Sequence, residues 1–182
     1  MKNPLKILII LMLIAGVFSC KKLVQNLFSG LEFNVPEMSF TAPAIPFVSP
    51  SEVQFGTITQ NINLDSVVKA NTLNAFGADI VKSVTIKTVT ITINNPDDLN
   101  NFSNFQSARI ALTSNSNNTP IDLANITFPN TNTSTFIYTP TSNTELVSYL
   151  KGSSLTYTIY GQNRKITTKS LNFSVSVRLK VN

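Results

Sequence analysis

The chain has 182 residues, a formal net charge of +5, no histidine, no tryptophan and one cysteine. This composition excludes the usual general bases, thiol pairs and zinc sites, so we expect no enzyme, no metal and no cofactor. A carboxylate pair of the glycosidase kind stays open in principle, although the nine acidic residues form no distinctive motif.

The C-terminal end of the chain is basic, because every acidic residue lies at or before Glu145 and six basic residues follow it. We interpret this basic end as a solvated sheet face rather than a patch for an acidic partner, and we expect no nucleic-acid partner. The basic residues that follow Glu145 are Lys151, Arg164, Lys165, Lys169, Arg178 and Lys180.

The first twenty residues have the layout of an export signal. Lys2 and Lys6 precede an unbroken run of apolar or small residues over 7–18, which ends at Ser19 and Cys20. A run of about a dozen residues is short for a membrane span, which needs roughly 20 helical residues. A cleaved signal is therefore favoured over a permanent transmembrane anchor.

Val17-Phe18-Ser19-Cys20 resembles the lipobox of bacterial lipoprotein signal peptides. The resemblance implies that the sulfur of Cys20 receives a diacylglyceryl group, that the signal 1–19 is removed, and that the new amine is acylated. A lone cysteine agrees with this role, since a disulfide would need a second one. The sequence thus predicts a signal peptide over 1–19, a lipidated tether over 20–30 and a single domain over 31–182.

The residues after Cys20 bear on the destination of the protein. In the resembled class an aspartate at the next position commonly retains the protein at the inner membrane, whereas Lys21 and Lys22 stand there in this chain. The resemblance therefore implies the outer membrane, on its periplasmic face. The two lysines also fit a simpler role beside anionic headgroups.

Apolar and polar residues alternate over most of the remaining chain, as in strands with one wet face. Pro36 predicts an edge strand or a bulge, and Gly56 predicts an irregularity. A change of phase near Lys87 and Thr88 predicts a bulge, or a bend where the strand changes sheets. In chain order the predicted strands are 31–40, 53–62, 81–93, 108–113, 121–126, 135–138, 155–160 and 171–181, with an extended proline-containing connector over 43–50.

Two short helical segments and one turn complete the prediction. Asp65 is a good helix N-cap for a helix that reaches Phe76 and ends at Gly77. A capped helical turn is expected over 144–150, and a turn over 161–163 separates the last two strands.

About eight strands without regular alternation of strand and helix indicate an all-β fold, an antiparallel β-sandwich with one or two short helices. From about residue 81 onward the hydrophobic pattern also resembles small lipoproteins of Bacteroidetes-type bacteria. There, a strand like 83–93 precedes a motif like 145–151 and a long final strand. This resemblance implies a β-sandwich without an assigned activity.

Three groups of polar residues are weaker candidate sites. Asp97, Asp98, Asn100 and Asn101 offer oxygen atoms for calcium, but a turn after Pro96 with aspartates capping a short helix is favoured. Asp65-Ser66-Val67 resembles a short O-glycosylation site, and the N-cap interpretation explains the same residues. Four tyrosines are candidates for stacking on sugars, although half of them are expected in the core by parity: Tyr138, Tyr149, Tyr157 and Tyr160.

Threonines at 85, 88, 90 and 92 are assigned to ordinary β-propensity rather than to a regular ice-binding array, which one strand alone does not make.

Two functions follow from these expectations. The first is an outer-membrane-anchored, non-catalytic binding or scaffold module for an envelope protein or glycan, held by acylated Cys20. The alternative is a structural subunit of an envelope or fibre assembly that uses β-strand augmentation through 31–40 or the terminal strand.

Overall fold

The structure is a computed structural model that describes residues 30–71, 74 and 77–181. The predicted signal 1–19, the predicted lipid-attachment residue Cys20 and all of the predicted tether except Gly30 lie outside these residues. Within the described part of the chain, no helix has the length and apolar character needed to cross a membrane.

Two antiparallel sheets face each other, which confirms the predicted β-sandwich. Nine strands form them within the described part of the chain, where about eight were predicted from the pattern of turns. In chain order they are β1 (Glu32–Asn34), β2 (Met38–Ala42), β3 (Val53–Asn61), β4 (Val84–Ile93), β5 (Phe105–Ser114), β6 (Ile121–Thr127), β7 (Thr135–Tyr138), β8 (Ser154–Asn163) and β9 (Leu171–Val181). Sheet I has the order β1-β9-β4-β7, with β2 also paired to β9, and sheet II has the order β3-β8-β5-β6.

The final strand β9 lies at the centre of sheet I, between β4 on one side and β1 and β2 on the other. Its alternate residues face the core as predicted, because one side of a strand repeats every second residue. The buried set is Leu171, Phe173, Val175, Val177, Leu179 and Val181, each at most 5% exposed.

The predicted interruptions are present in the early strands. Pro36 separates β1 from β2, and both strands pair with the same side of β9 at the edge of sheet I. Phe33 of β1, Met38 of β2 and Val35 between the two strands are buried in the core. In β3 the register shifts between Gln54 and Gly56, as the glycine predicted.

The bulge in β4 also occurs where the change of phase placed it. The register with β9 shifts between Ile86 and Thr88, which leaves Lys87 as the extra residue. The strand stays in sheet I from end to end, so the suggested passage between sheets is wrong. One extra residue is enough to restore the inward direction of the later side chains.

The cap of the first helix and the end of β8 differ from the prediction. Helix α1 (Leu64–Asn71) is capped by Asn63, whose side-chain oxygen accepts from the Ser66 N–H at 2.9 Å. Asp65 lies inside the first turn, where it accepts from the Ala78 N–H and pairs with Lys69. The continuation at 72–73 and 75–76 lies outside the described residues.

The turn predicted at 161–163 is absent. Those residues extend β8, and Asn163 pairs with Phe105, so the chain turns later, over 164–170. The predicted helical turn before β8 is confirmed as the short helix α2 (Val147–Leu150).

Candidate functional site

Four loops meet at one end of the sandwich, where β2, β4, β6 and β8 end. They are 43–52, 94–104, 128–134 and 164–170, and we call them together the loop face. The chain enters at the opposite end, where the Gly30 N–H donates to the Val181 carbonyl at 2.9 Å. The length of β9, 11 residues, puts roughly 36 Å between the two ends.

The loop face carries most of the exposed large apolar side chains of the described residues. Five such side chains are exposed, and four of them belong to this face. They are Phe47 (62%), Val48 (54%), Leu99 (70%) and Ile166 (48%), which we call the apolar tips. Single exposed apolar residues are ordinary, but a group at one end of a domain indicates an interaction surface.

Asn104 links the backbones of two of these tips. Its amide nitrogen donates to the carbonyls of Leu99, at 2.9 Å, and Ile166, at 2.6 Å. Its amide oxygen accepts from the Asn101 N–H at 3.0 Å. Because the Asn104 side chain is only 3% exposed, these bonds form away from water and fix the two loops to each other.

Asn163 and Thr167 fasten the third loop in the same way. The Asn163 amide donates to the carbonyls of Phe47 and Lys165, both at 2.9 Å, and accepts from the Ser49 N–H. The Thr167 hydroxyl accepts from the Ile45 N–H at 2.8 Å. Loop 164–170 is therefore bonded to 43–52 on one side and to 94–104 on the other.

Asn100 and Asp97 form the outer part of this network. The Asn100 amide donates to Asp97 and to the Thr168 hydroxyl, and its oxygen accepts from the Thr168 N–H. Asp97 also pairs with Lys169 at 2.7 Å. The Lys169 ammonium first, and then the Asn100 amide, lower the pKa of the Asp97 carboxyl to about 2.

The rim of the loop face has charges of both signs. Lys165 and Asp98 are exposed. Arg164 is half-buried, and its guanidinium donates to the Phe128 carbonyl at 2.6 Å. The predicted basic end does not form one patch, since Arg178 lies within 3.9 Å of Glu32 on sheet I and Lys151 follows α2 at the opposite end.

The polar group after Pro96 forms a turn, as favoured over a calcium site. Asp97 accepts from the Leu99 N–H within that turn. The short 3-10 helix Phe102–Asn104 is capped by Asn101 and not by the aspartates. No group of three or more possible metal-ligating side chains occurs among the described residues.

The other sequence candidates lie apart from the loop face. Tyr149 and Tyr157 are buried, and Tyr138 and Tyr160 are half-buried, which confirms the expected division. The Tyr160 ring is covered on one face by the Arg109 guanidinium, 4.0 Å from the ring centre. Ser66 is exposed on α1, and its glycosylation stays a prediction.

The interior leaves little room for a ligand. Between the sheets, the described residues form a partly open apolar cavity of about 30 Å³, lined among others by Phe102, Phe105 and Phe173. This is about the space of one water molecule, so the surface is the place to look for a binding site.

Sequence reasoning missed the apolar tips. Leu99 lies between the polar residues Asp98 and Asn100, which was one signal that its side chain is exposed. The prolines that flank Ile45 and Phe47 were another, because they keep this stretch out of a sheet ladder.

No protein-family model matches the chain, and no curated protein matches it. Among solved structures, it is similar to the family 32 carbohydrate-binding module from C. perfringens NanJ in complex with galactose. That match has 10% identity and a TM-score of 0.36, over 80% of this chain and 99% of the module. The decameric BFDV capsid protein matches with 12% identity and a TM-score of 0.31, over 84% of this chain and 98% of the capsid protein.

The structure of infectious bursal disease virus, Gx strain, matches with 8% identity and a TM-score of 0.41, over 84% of this chain. The chain spans about a third of that viral protein, 32% of its length. Likenesses this distant carry no inference about what the chain binds.

Proposed function

We propose that this protein is a non-catalytic binding module that is anchored to the periplasmic face of the outer membrane by acylated Cys20 and binds an envelope protein through its loop face. The observation that carries the proposal is the arrangement of the four apolar tips on loops that are fixed by buried asparagines. These tips lie at the end opposite Gly30, where the tether joins the domain.

The chemistry of the surface favours a protein over a glycan as the partner. Protein interfaces have an apolar centre with a polar rim, which matches the apolar tips beside Lys165 and Asp98. Sugars are usually held by exposed aromatic rings and polar groups, and Phe47 is the only aromatic member of the apolar tips. The expected partner surface is apolar at its centre with charges at its rim.

Fixed loops also favour affinity. Loops that are already ordered before binding lose less conformational entropy when the partner docks. The bonds from Asn104 and Asn163 supply this order without using the apolar side chains, which are left for the partner.

The strands named in the alternative function are already paired within the chain. Both sides of β9 are occupied by neighbouring strands, and β1 and β2 contribute Phe33 and Met38 to the core. The loop face requires no such rearrangement, so we place the binding function there.

The anchor is tested with Cys20→Ala in the full chain. We expect loss of the lipid mass from the N-terminal peptide in mass spectrometry and loss of the protein from the outer-membrane fraction. Ser66→Ala serves as a control that leaves the cysteine in place. Retention of the lipid mass in Cys20→Ala would remove the anchor from the proposal.

The loop face is tested by site-specific photo-crosslinking of the lipidated protein in intact cells. A photoreactive residue placed at Leu99 or at Ile166 should capture the same envelope protein, and one at Thr59 on the outer face of sheet II should not. The captured protein, once purified, should bind the full chain, and Ile166→Lys should weaken that binding about tenfold or more. Capture of glycan alone, equal capture from Thr59, or binding unaffected by Ile166→Lys would overturn the proposal.

A further inference from the structure

The free edge of sheet I is formed by β7, the outermost strand after β4. The strand pairs with β4 from Val89 opposite Tyr138 to Thr92 opposite Thr135. Ile137, at its centre, is 64% exposed and is the one exposed large apolar residue of the described chain outside the loop face.

The backbone of β7 presents unpaired groups on its outer side. The Ile93 N–H donates to the Ser134 carbonyl at 2.8 Å, which fixes the direction of the alternating bonds. Successive residues of an antiparallel strand direct their N–H and C=O groups to opposite sides. The backbone N–H and C=O groups of Phe136 and Tyr138 therefore point toward β4. Those of Thr135 and Ile137 point to the free side.

β7 itself carries neither a charge nor a proline that would discourage pairing with a second strand. Natural edge strands carry charges, prolines or bulges that discourage a second strand. No charged residue occurs between Asp122 and Glu145, a stretch that includes the whole of β7. On the opposite edge of the sheet, Glu32 and Pro36 lie in or beside the edge strands, and Gln60 of β3 donates to the Glu37 carbonyl at 3.2 Å.

The exposed side chains along β7 form a sequence that is the same in both chain directions. Thr135, Ile137 and Thr139 alternate along one face and are all exposed. When two such strands pair antiparallel around Ile137, isoleucine meets isoleucine and threonine meets threonine. Both are favourable cross-strand pairs, and neither strand brings a charge that would repel its copy.

We propose that β7 is a homodimerisation edge, at which two copies of this chain pair antiparallel around a two-fold axis that passes between their Ile137 residues. The two copies of sheet I then form one continuous sheet. The pattern Thr135, Ile137, Thr139 selects a second copy over an unrelated extended segment, because it is complementary to itself. Pro140 directly follows Thr139 and bounds this symmetrical stretch on each side.

The short strand gives a weak dimer, and membrane anchoring strengthens it. A pairing of a few residues has a small contact area, but two anchored copies share a membrane surface, which raises their effective concentration. Antiparallel pairing leaves both loop faces free, at opposite ends of the dimer. The tether of about ten residues reaches up to about 35 Å, enough for both copies to be anchored in one membrane.

Disulfide trapping tests the position of the axis. In full-length lipidated protein, Ile137→Cys should give a covalent dimer under mild oxidation, because the paired residues are about 5.5 Å apart between Cα atoms, within disulfide reach. Ile166→Cys, also exposed (48%) but on the loop face, is the matched control and should stay monomeric. Equal trapping from both positions, or none from Ile137→Cys, would overturn the proposal.

A second variant measures the equilibrium without a covalent bond. Sedimentation of the detergent-solubilised full-length protein should show a monomer–dimer equilibrium, and Ile137→Lys should raise the dimer Kd about tenfold or more by placing two like charges at the axis. Ile166→Lys should leave the dimer unchanged. A dimer that is insensitive to Ile137→Lys, or no dimer at any accessible concentration, would contradict the proposal.

The test of the dimer and the test of the loop-face partner can fail independently of each other. Photo-capture from Leu99 should persist in Ile137→Lys, because the apolar tips and β7 are different surfaces. Failure of dimerisation with intact capture therefore removes only the dimer, and failure of capture with intact dimerisation removes only the loop-face partner.

Discussion

The two ends of the sandwich differ in how many polar groups they bury. At the end that contains Gly30, α1 and α2 place apolar side chains into the core, including Leu64, Val68 and Leu150. At the loop face, buried polar groups add to buried rings such as Phe102 and Phe128: of the nine buried polar residues in the described chain, seven lie there or at Asn163. They are Ser49, Asn100, Asn101, Ser103, Asn104, Asn163 and Thr167.

The difference teaches how a loop can expose apolar side chains and still be ordered. A loop that directs Leu99 and Ile166 into water gains no stability from burying them. Order then comes from hydrogen bonds between buried amide side chains and backbone carbonyls, which are strong away from water. The loop face is therefore rigid without using its apolar surface.

The largest effect is expected at the apolar end. Leu150→Ala removes a side chain that is 1% exposed and leaves a cavity, which should lower the free energy of unfolding by about 2–5 kcal/mol. Urea unfolding followed by circular dichroism measures it. A loss below about 1 kcal/mol would show that this end does not depend on apolar packing.

A smaller and more local effect is expected at Asn104. Asn104→Ala leaves the Leu99 and Ile166 carbonyls and the Asn101 N–H without their partner, which should cost about 1–3 kcal/mol. Hydrogen exchange should increase in 97–104 and 164–168 and stay unchanged around α2. Asn125→Ala, at an exposed position on β6, is the control. Equal exchange in both variants would contradict the role of Asn104.

The smallest effect concerns Asp97 and appears only in acid. The pKa of this carboxyl, about 2 in the folded protein, lies below its ordinary value of 3.8, so the charged form stabilises the fold. This contribution is fully present above about pH 4 and disappears as the pH falls toward 2. Thermal unfolding from pH 6 to 2 should show a drop that is reduced in Asp97→Asn, with Asp98→Asn as the control. An identical drop in Asp97→Asn would assign the acid sensitivity elsewhere.

Much of the fold was predictable because its signals are local. The alternation in β9, the proline between β1 and β2 and the change of phase at Lys87 each act within a few residues, and each has the predicted structural consequence. The errors arose where two local signals compete. Asp65 was favoured as the helix cap, but Asn63 is an equally good capping residue, and packing against Ala78 uses the Asp65 carboxylate instead.

The candidate site was not predictable in the same way. The loop face depends on contacts such as Ile45 with Thr167 and Asn100 with Thr168, which are 122 and 68 residues apart in the chain. Polar residues in the loop after Pro96 favoured a turn, and that turn is present. Nothing local indicated that its asparagines fix two other loops.

The sequence by itself determined the class of fold, the positions of most strands and the expectation of a lipidated Cys20, because two-residue alternation, proline and a lipobox-like segment are all short-range patterns. The tertiary structure alone decided which loops share an end, which carboxylate pairs with Lys169, and that β7 and not β9 has a free edge. Those features depend on the order of strands in the two sheets. That order is set by how the whole set of apolar faces packs together, which no short stretch of the chain contains.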